Sequence, residues 1–215
     1  MPPATLACLD SIRNLMVDPV APRTSSSVPP ELPAEQRELF RRVLTILNAC
    51  EIPHAIAGAF ALQQHTGIWH PTKDLDLSLT HESVETALHC LKEDGFVCEV
   101  VDPVWLAKAY RGDFFVDLIS GMSNGVIPVS RSWIERAYSG SVVGIPARVL
   151  APEELLASKL FVTRRERFDG ADTAHIILAR SGQLGLAAPA GNSRRALATV
   201  VVGTNVFCLC LPRTP

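Results

Sequence analysis

The sequence lacks a strong charge of either sign. A formal net charge of −2 over 215 residues exerts no global pull toward nucleic acid, so any such contact must rest on a local patch. It also lacks a long apolar run. Asp10, Arg13 and Asp18 interrupt the N-terminal apolar residues before a signal-type segment forms. The stretch from Ala196 to Leu211 falls short of the ~20 apolar residues of a membrane span. No membrane partner is expected. Cys8, Cys50, Cys90, Cys98, Cys208 and Cys210 lack both the dense spacing of a disulfide framework and a Cys-x-x-Cys pair for zinc. Buried, reduced thiols in a cytoplasmic protein are the expectation. The scattered histidines match no zinc pattern and read as core or surface imidazoles.

What is present is a chain long enough for one domain with appendages. Residues 3–16 read as a short amphipathic helix, and VDPVAPRTSSSVPPELP as a linker. The compact fold should therefore begin near Pro33, with a core over 34–150, a helical segment over 151–184 and an atypical tail over 185–215. From Ala34 to Cys50, Leu39, Phe40, Val43, Leu44 and Leu47 recur at helical spacing. Pro53 ends that helix, HAIAG is a strand, Ala59–His65 a short helix and Asp74–Leu79 a second strand. His81–Asp94 is a helix stopped by Gly95, and FVCEVV a strand. Trp105–Tyr110 pairs with Phe114–Ser120 across the turn Arg111-Gly112-Asp113. A helix Trp133–Tyr138, a strand pair around Gly144, and helices Pro152–Arg165 and Asp169–Arg180 follow. The elements give an α/β (α+β) fold, a mixed sheet flanked by helices.

The chemistry concentrates in AIAGAFALQQHTGIWHPTKDLDLSL. Small residues at Gly58 and Ala59 break a strand and open a helix, whose N-terminal N–H groups can face a phosphate. Asp74 and Asp76 then flank one leucine. In a strand, residues i and i+2 face the same side, roughly 6–7 Å apart. Two carboxylates held that close repel unless a cation lies between them, and such hard oxygen donors suit Mg²⁺. Asp117 in FFVDLIS shares a face with Phe115 and Ile119, and its burial without a partner would cost several kcal/mol.

A Gly-Ala turn followed by Asp74-Leu75-Asp76 resembles the nucleotidyltransferase superfamily that includes DNA polymerase beta and many small bacterial transferases, whose pattern implies a third carboxylate on a neighbouring strand, for which Asp117 is the candidate. The resemblance extends through GIWHPTKDLDL, DPVWLAKAYRGDFFVDLISG, PEELLASKL and RERFDGADTAHIILAR, and so covers most of residues 50–180. It implies two Mg²⁺ ions, with Mn²⁺ as a substitute, held by Asp74, Asp76 and Asp117. The implied reaction moves NMP from an NTP to an acceptor hydroxyl on a small molecule, a protein or an RNA end. Nucleic acid enters only as such an acceptor, and a toxin-type member would carry an antitoxin-like partner. The nucleotide would meet Gly58, Ala59, His70, Lys73 and Lys159.

Two departures stand out. Ala59 replaces the second glycine of the family turn, and His70 stands where relatives usually carry arginine. Alanine still offers its N–H, whereas a neutral imidazole replaces a permanent cation. They leave open a second reading, a catalytically impaired relative that keeps the fold as a binding protein. Lys73 falls opposite Asp74 by alternation and Lys159 lies in the apolar helix LLASKLF, so both have ordinary surface readings as well. In RRERFDGAD, Arg164, Arg165 and Arg167 with Glu166, Asp169 and Asp172 read as a helix-junction ion network with Asp169 as N-cap. Trp69, Trp105 and Trp133 read as core anchors.

After Leu184 the sequence GLAAPAGNSRRALATVVVGTNVFCLCLPRTP has no acidic residue and no helical period. One extra nucleotide near the Leu184 and Gly185 codons would allow an acidic-aromatic helical reading instead. The expected C-terminal helical part therefore looks truncated or frameshifted, with an apolar, β-prone tail in its place.

Overall fold

The computed structural model describes residues 31–121, 127–163, 170–180, 186–187, 196–202 and 205–211. Helix α1, Ala34–Ala49, presents Leu39, Phe40, Val43, Leu44 and Leu47 to the interior. Its 3.6-residue apolar stripe is what makes it a helix that stays on the sheet. Strand β1, His54–Ile56, leads into α2, Gly58–Thr66, which Gly67 terminates at φ 77°. Strand β2 is Asp74–Leu79, α3 is His81–Glu93, and β3, β4 and β5 are Val97–Asp102, Leu106–Arg111 and Phe114–Ile119. Helix α4, Arg131–Arg136, precedes the hairpin β6, Tyr138–Val142, and β7, Ile145–Val149. Helices α5, Pro152–Thr163, and α6, Gly170–Ala179, come next.

Seven strands form one sheet in the order β3-β4-β5-β2-β1-β7-β6. β2 pairs parallel with β5 and β1 parallel with β7, and the other neighbours are antiparallel. Alternation splits its two faces. Leu75, Leu77, Val116, Leu118, Ala107 and Ala109 are buried on the face covered by α1 and α3. Each large apolar side chain buried there contributes about 1.5–3 kcal/mol. Asp74, Asp76, Asp117 and Lys108 rise from the opposite face, which α2 covers only in part.

Several expectations shift at element ends. The fourth helix was expected over Trp133–Tyr138, but Ala137 takes extended backbone (ψ 141°) and Tyr138 already belongs to β6. Helix α5 runs to Thr163 and α6 starts at Gly170. The N-terminal helix and linker, and the arginines at 164, 165 and 167 with Glu166 and Asp169, lie outside the described residues. The thiols are less buried than expected: Cys50 is exposed and Cys90 and Cys98 are partly buried, all three free. The tail contributes backbone to a separate small sheet, β8 (Leu186–Ala187), β9 (Ala196–Val202) and β10 (Asn205–Leu211), in antiparallel register. Among the described residues, no helix is long and apolar enough to cross a membrane.

Candidate active site

The site forms where β1 ends beside β2 and β5. The parallel register of β2 and β5 sets Asp76 directly opposite Asp117, with Asp74 two residues earlier on the same face. One carboxylate oxygen from each of the three lies within 4.8 Å of the others, and all three residues are partly buried. The backbone N–H of Ala57 donates to the carbonyl of Asp76 at 2.9 Å, drawing the β1–α2 turn against the cluster. Gly58 then adopts φ +54°, a conformation L-residues avoid, and a Cβ there would fall 1.7 Å from Asp76 Oδ2. Only glycine lets the turn close this tightly. Helix α2 starts at this point, and its first N–H groups have no intrahelical acceptor.

Burial, then the charges of Asp74 and Asp117, pushes the Asp76 carboxyl up to about 7. Burial also raises Asp117, against the opposing hydrogen bond and charge of Lys108. A divalent cation would relieve this crowding, and an all-carboxylate donor set suits Mg²⁺ or Mn²⁺ rather than a soft metal. The residues present therefore fit the ions implied by the sequence.

Three supporting contacts escaped the sequence reading. Thr72 Oγ1 donates to Asp74 Oδ1, while buried Gln36 donates from Nε2 to the Thr72 carbonyl at 2.8 Å. Lys108 Nζ donates to Asp117 Oδ1 at 2.7 Å. Asp172, whose expected arginine partners lie outside the described residues, accepts from Lys159 Nζ at 2.7 Å and lies 3.2 Å from His70 Nε2. A signal for Lys108 was available. The Arg111-Gly112-Asp113 turn fixes the hairpin register, and counting back from it pairs Lys108 with Asp117.

The other named positions divide. Lys159 is buried rather than snorkelling, and its charge is felt at Asp76. His70 has an exposed side chain held by Asp172. Lys73 is exposed and, among the described residues, makes no ion pair. Trp133 is buried, and Trp69 packs edge-on against Phe60 with ring centroids 5.0 Å apart. His65 is a core imidazole: its Nε2 faces the Leu150 carbonyl at 2.7 Å, so Nε2 carries the proton, and Nδ1 accepts from Arg180 Nη2 at 2.8 Å.

No family model matches the chain, and no curated protein matches it by sequence. Solved structures do match. The crystal structure of ANT(2'')-Ia in complex with adenylyl-2''-tobramycin is 15% identical with a TM-score of 0.52, over 70% of this chain and 92% of that one. The solution structure of the same antibiotic-resistance factor is 17% identical with a TM-score of 0.51, over 70% and 85%. A nucleotidyltransferase candidate from Thermotoga maritima is 14% identical with a TM-score of 0.50, over 69% and 95%. The fold is the nucleotidyltransferase fold. Within that fold, the three carboxylates stand on two adjacent strands beside the glycine turn.

Proposed function

We propose that the chain is a metal-dependent nucleotidyltransferase that moves NMP from an NTP to an acceptor hydroxyl. The observation that carries this reading is the Asp74, Asp76 and Asp117 cluster pressed against a turn where only glycine fits. Asp74 and Asp76 would hold both divalent ions, and Asp117 the catalytic one. Bound there, the ions neutralise triphosphate charge and make the acceptor hydroxyl easier to ionise. The N–H groups at Gly58 and Ala59 receive phosphate oxygens, with the Lys159 ammonium adding positive charge and His70 an imidazole beside them. Asp117 accepts the acceptor proton as pyrophosphate leaves.

The acceptor is a small molecule, a protein hydroxyl or an RNA end, and the match to a structure holding an adenylylated antibiotic supports the first of these as a starting point. The transferase unit would comprise residues 34–150 with the helices of 151–184, the tail of 185–215 standing apart as the product of a shifted reading frame. Incubating the protein with each α-labelled NTP, Mg²⁺ or Mn²⁺ and a cell extract tests the function. Label transfer that Asp76→Asn abolishes supports it. Nucleotide binding with no transfer under any condition favours an impaired, binding-only relative.

A further inference from the structure

The carboxylate cluster already has a cation seated on it. Antiparallel pairing of β4 and β5 puts Lys108 directly opposite Asp117. Nζ reaches Asp117 Oδ1 at 2.7 Å, with the two side chains only 19% and 13% exposed. The ammonium also lies 4.0 Å from the centroid of the Phe115 ring, which gives it a second attractive contact. On its other side, β3 places Glu99 opposite Lys108, and the Glu99 carboxylate accepts from Tyr110 Oη at 3.2 Å. One rung of the sheet therefore reads Asp76, Asp117, Lys108, Glu99, with a single cation between two acids.

A carboxylate oxygen that accepts an ammonium at 2.7 Å has that lone-pair direction occupied. A divalent ion approaching Asp117 along that direction must displace the ammonium. We propose that Lys108 is an internal counter-ion of the site, occupying Asp117 until a divalent cation replaces it and then turning to Glu99. The proposal rests on the metal-site reading of Asp74, Asp76 and Asp117. It makes Lys108 a positioning residue, one that limits repulsion within the carboxylate cluster and sets how readily the third carboxylate is surrendered. Strand register keeps the released ammonium beside the site, because its neighbours on both sides are fixed by backbone pairing.

Mn²⁺ titration followed by electron paramagnetic resonance, without nucleotide, tests this independently of turnover. Lys108→Met should tighten Mn²⁺ binding by about threefold or more, as expected for residues coupled in one ion network. The same change in an Asp117→Asn background should have a much smaller effect, since the contested carboxylate is then gone and only the longer-range pull of Lys108 on Asp76 remains. Glu99→Gln should weaken Mn²⁺ binding, because the displaced ammonium loses its second partner. Lys108→Gln serves as the second variant if the methionine form does not fold, judged by thermal melting. The proposal is overturned if Lys108 variants leave affinity unchanged, or shift it equally with and without Asp117, or if Glu99→Gln has no effect. If the native protein binds no Mn²⁺ at all, the metal-site reading itself fails, a separate result from the Lys108 variants having no effect on measurable binding.

Discussion

A Cβ on Gly58 would sit 1.7 Å from Oδ2 of Asp76, so the strand turn and the central carboxylate occupy neighbouring space that admits no side chain. Gly58→Ala should therefore displace Asp76 and also force alanine into positive φ, at about 1–2 kcal/mol. The expected result is a lower melting temperature and a loss of roughly 10²-fold in kcat/KM, the scale of a small misplacement at a reacting centre. Ala59→Gly should leave folding within about 1 kcal/mol of the native protein and retain nucleotide binding.

Asp76 is less stable ionised in the fold than in the unfolded chain, because its carboxyl is pushed up to about 7. Its contribution to stability is thus fully present below about pH 4 and is lost as pH rises toward 7. In EDTA at pH 8, Asp76→Asn should stabilise the protein by about 2–4 kcal/mol. The gain should vanish in melts near pH 4. Equal stability at pH 8 would mean that neither burial nor the neighbouring carboxylates disfavour the Asp76 anion.

Burial lowers the His65 imidazole to about 4, opposed by the Leu150 carbonyl bond and reinforced by the Arg180 charge. The neutral ring contributes stability fully above its unfolded value near 6.5, and that stability falls as pH drops through 4. Urea melts should lose about 2–3 kcal/mol between pH 7 and 4.5 from this group. His65→Gln, whose amide can still donate to Leu150 and accept from Arg180, should flatten that slope.

Asp172 joins Lys159 on α5 with His70 ahead of β2. Lys159→Met would leave a buried carboxylate short of its closest cation, costing about 3 kcal/mol; Lys159→Met with Asp172→Asn should recover most of it. His70→Arg would place a permanent cation next to Asp172, where His70 now stands. NTP binding measured by calorimetry should tighten by about tenfold, the worth of one charged hydrogen bond.

The strands and helices that position the site were legible because their periods are readable: α1 carries an unbroken apolar stripe, β2 alternates polar and apolar residues in sequence, and β5 alternates in burial from Phe115 to Ile119. Asp74 and Asp76 followed from that alternation and from the glycine turn, and Asp117 from the family resemblance. The electrostatic partners were less legible because they come from distant segments. Thr72 and Gln36 support Asp74 across 36 residues, and Asp172 reaches Lys159 through helix packing rather than any sequence spacing. Helix ends moved where backbone geometry decided them, as at Ala137, whose extended conformation frees Tyr138 to start β6. Cys50 was misjudged because it follows the last turn of α1, on the solvent side of an otherwise buried stripe.

The most direct measurement is anomalous diffraction from crystals soaked with Mn²⁺ and a non-hydrolysable NTP analogue. A manganese peak bounded by Asp74, Asp76 and Asp117, with the triphosphate against the Gly58 turn, is the predicted result. Manganese bound elsewhere, or nucleotide seated away from the three carboxylates, would contradict it.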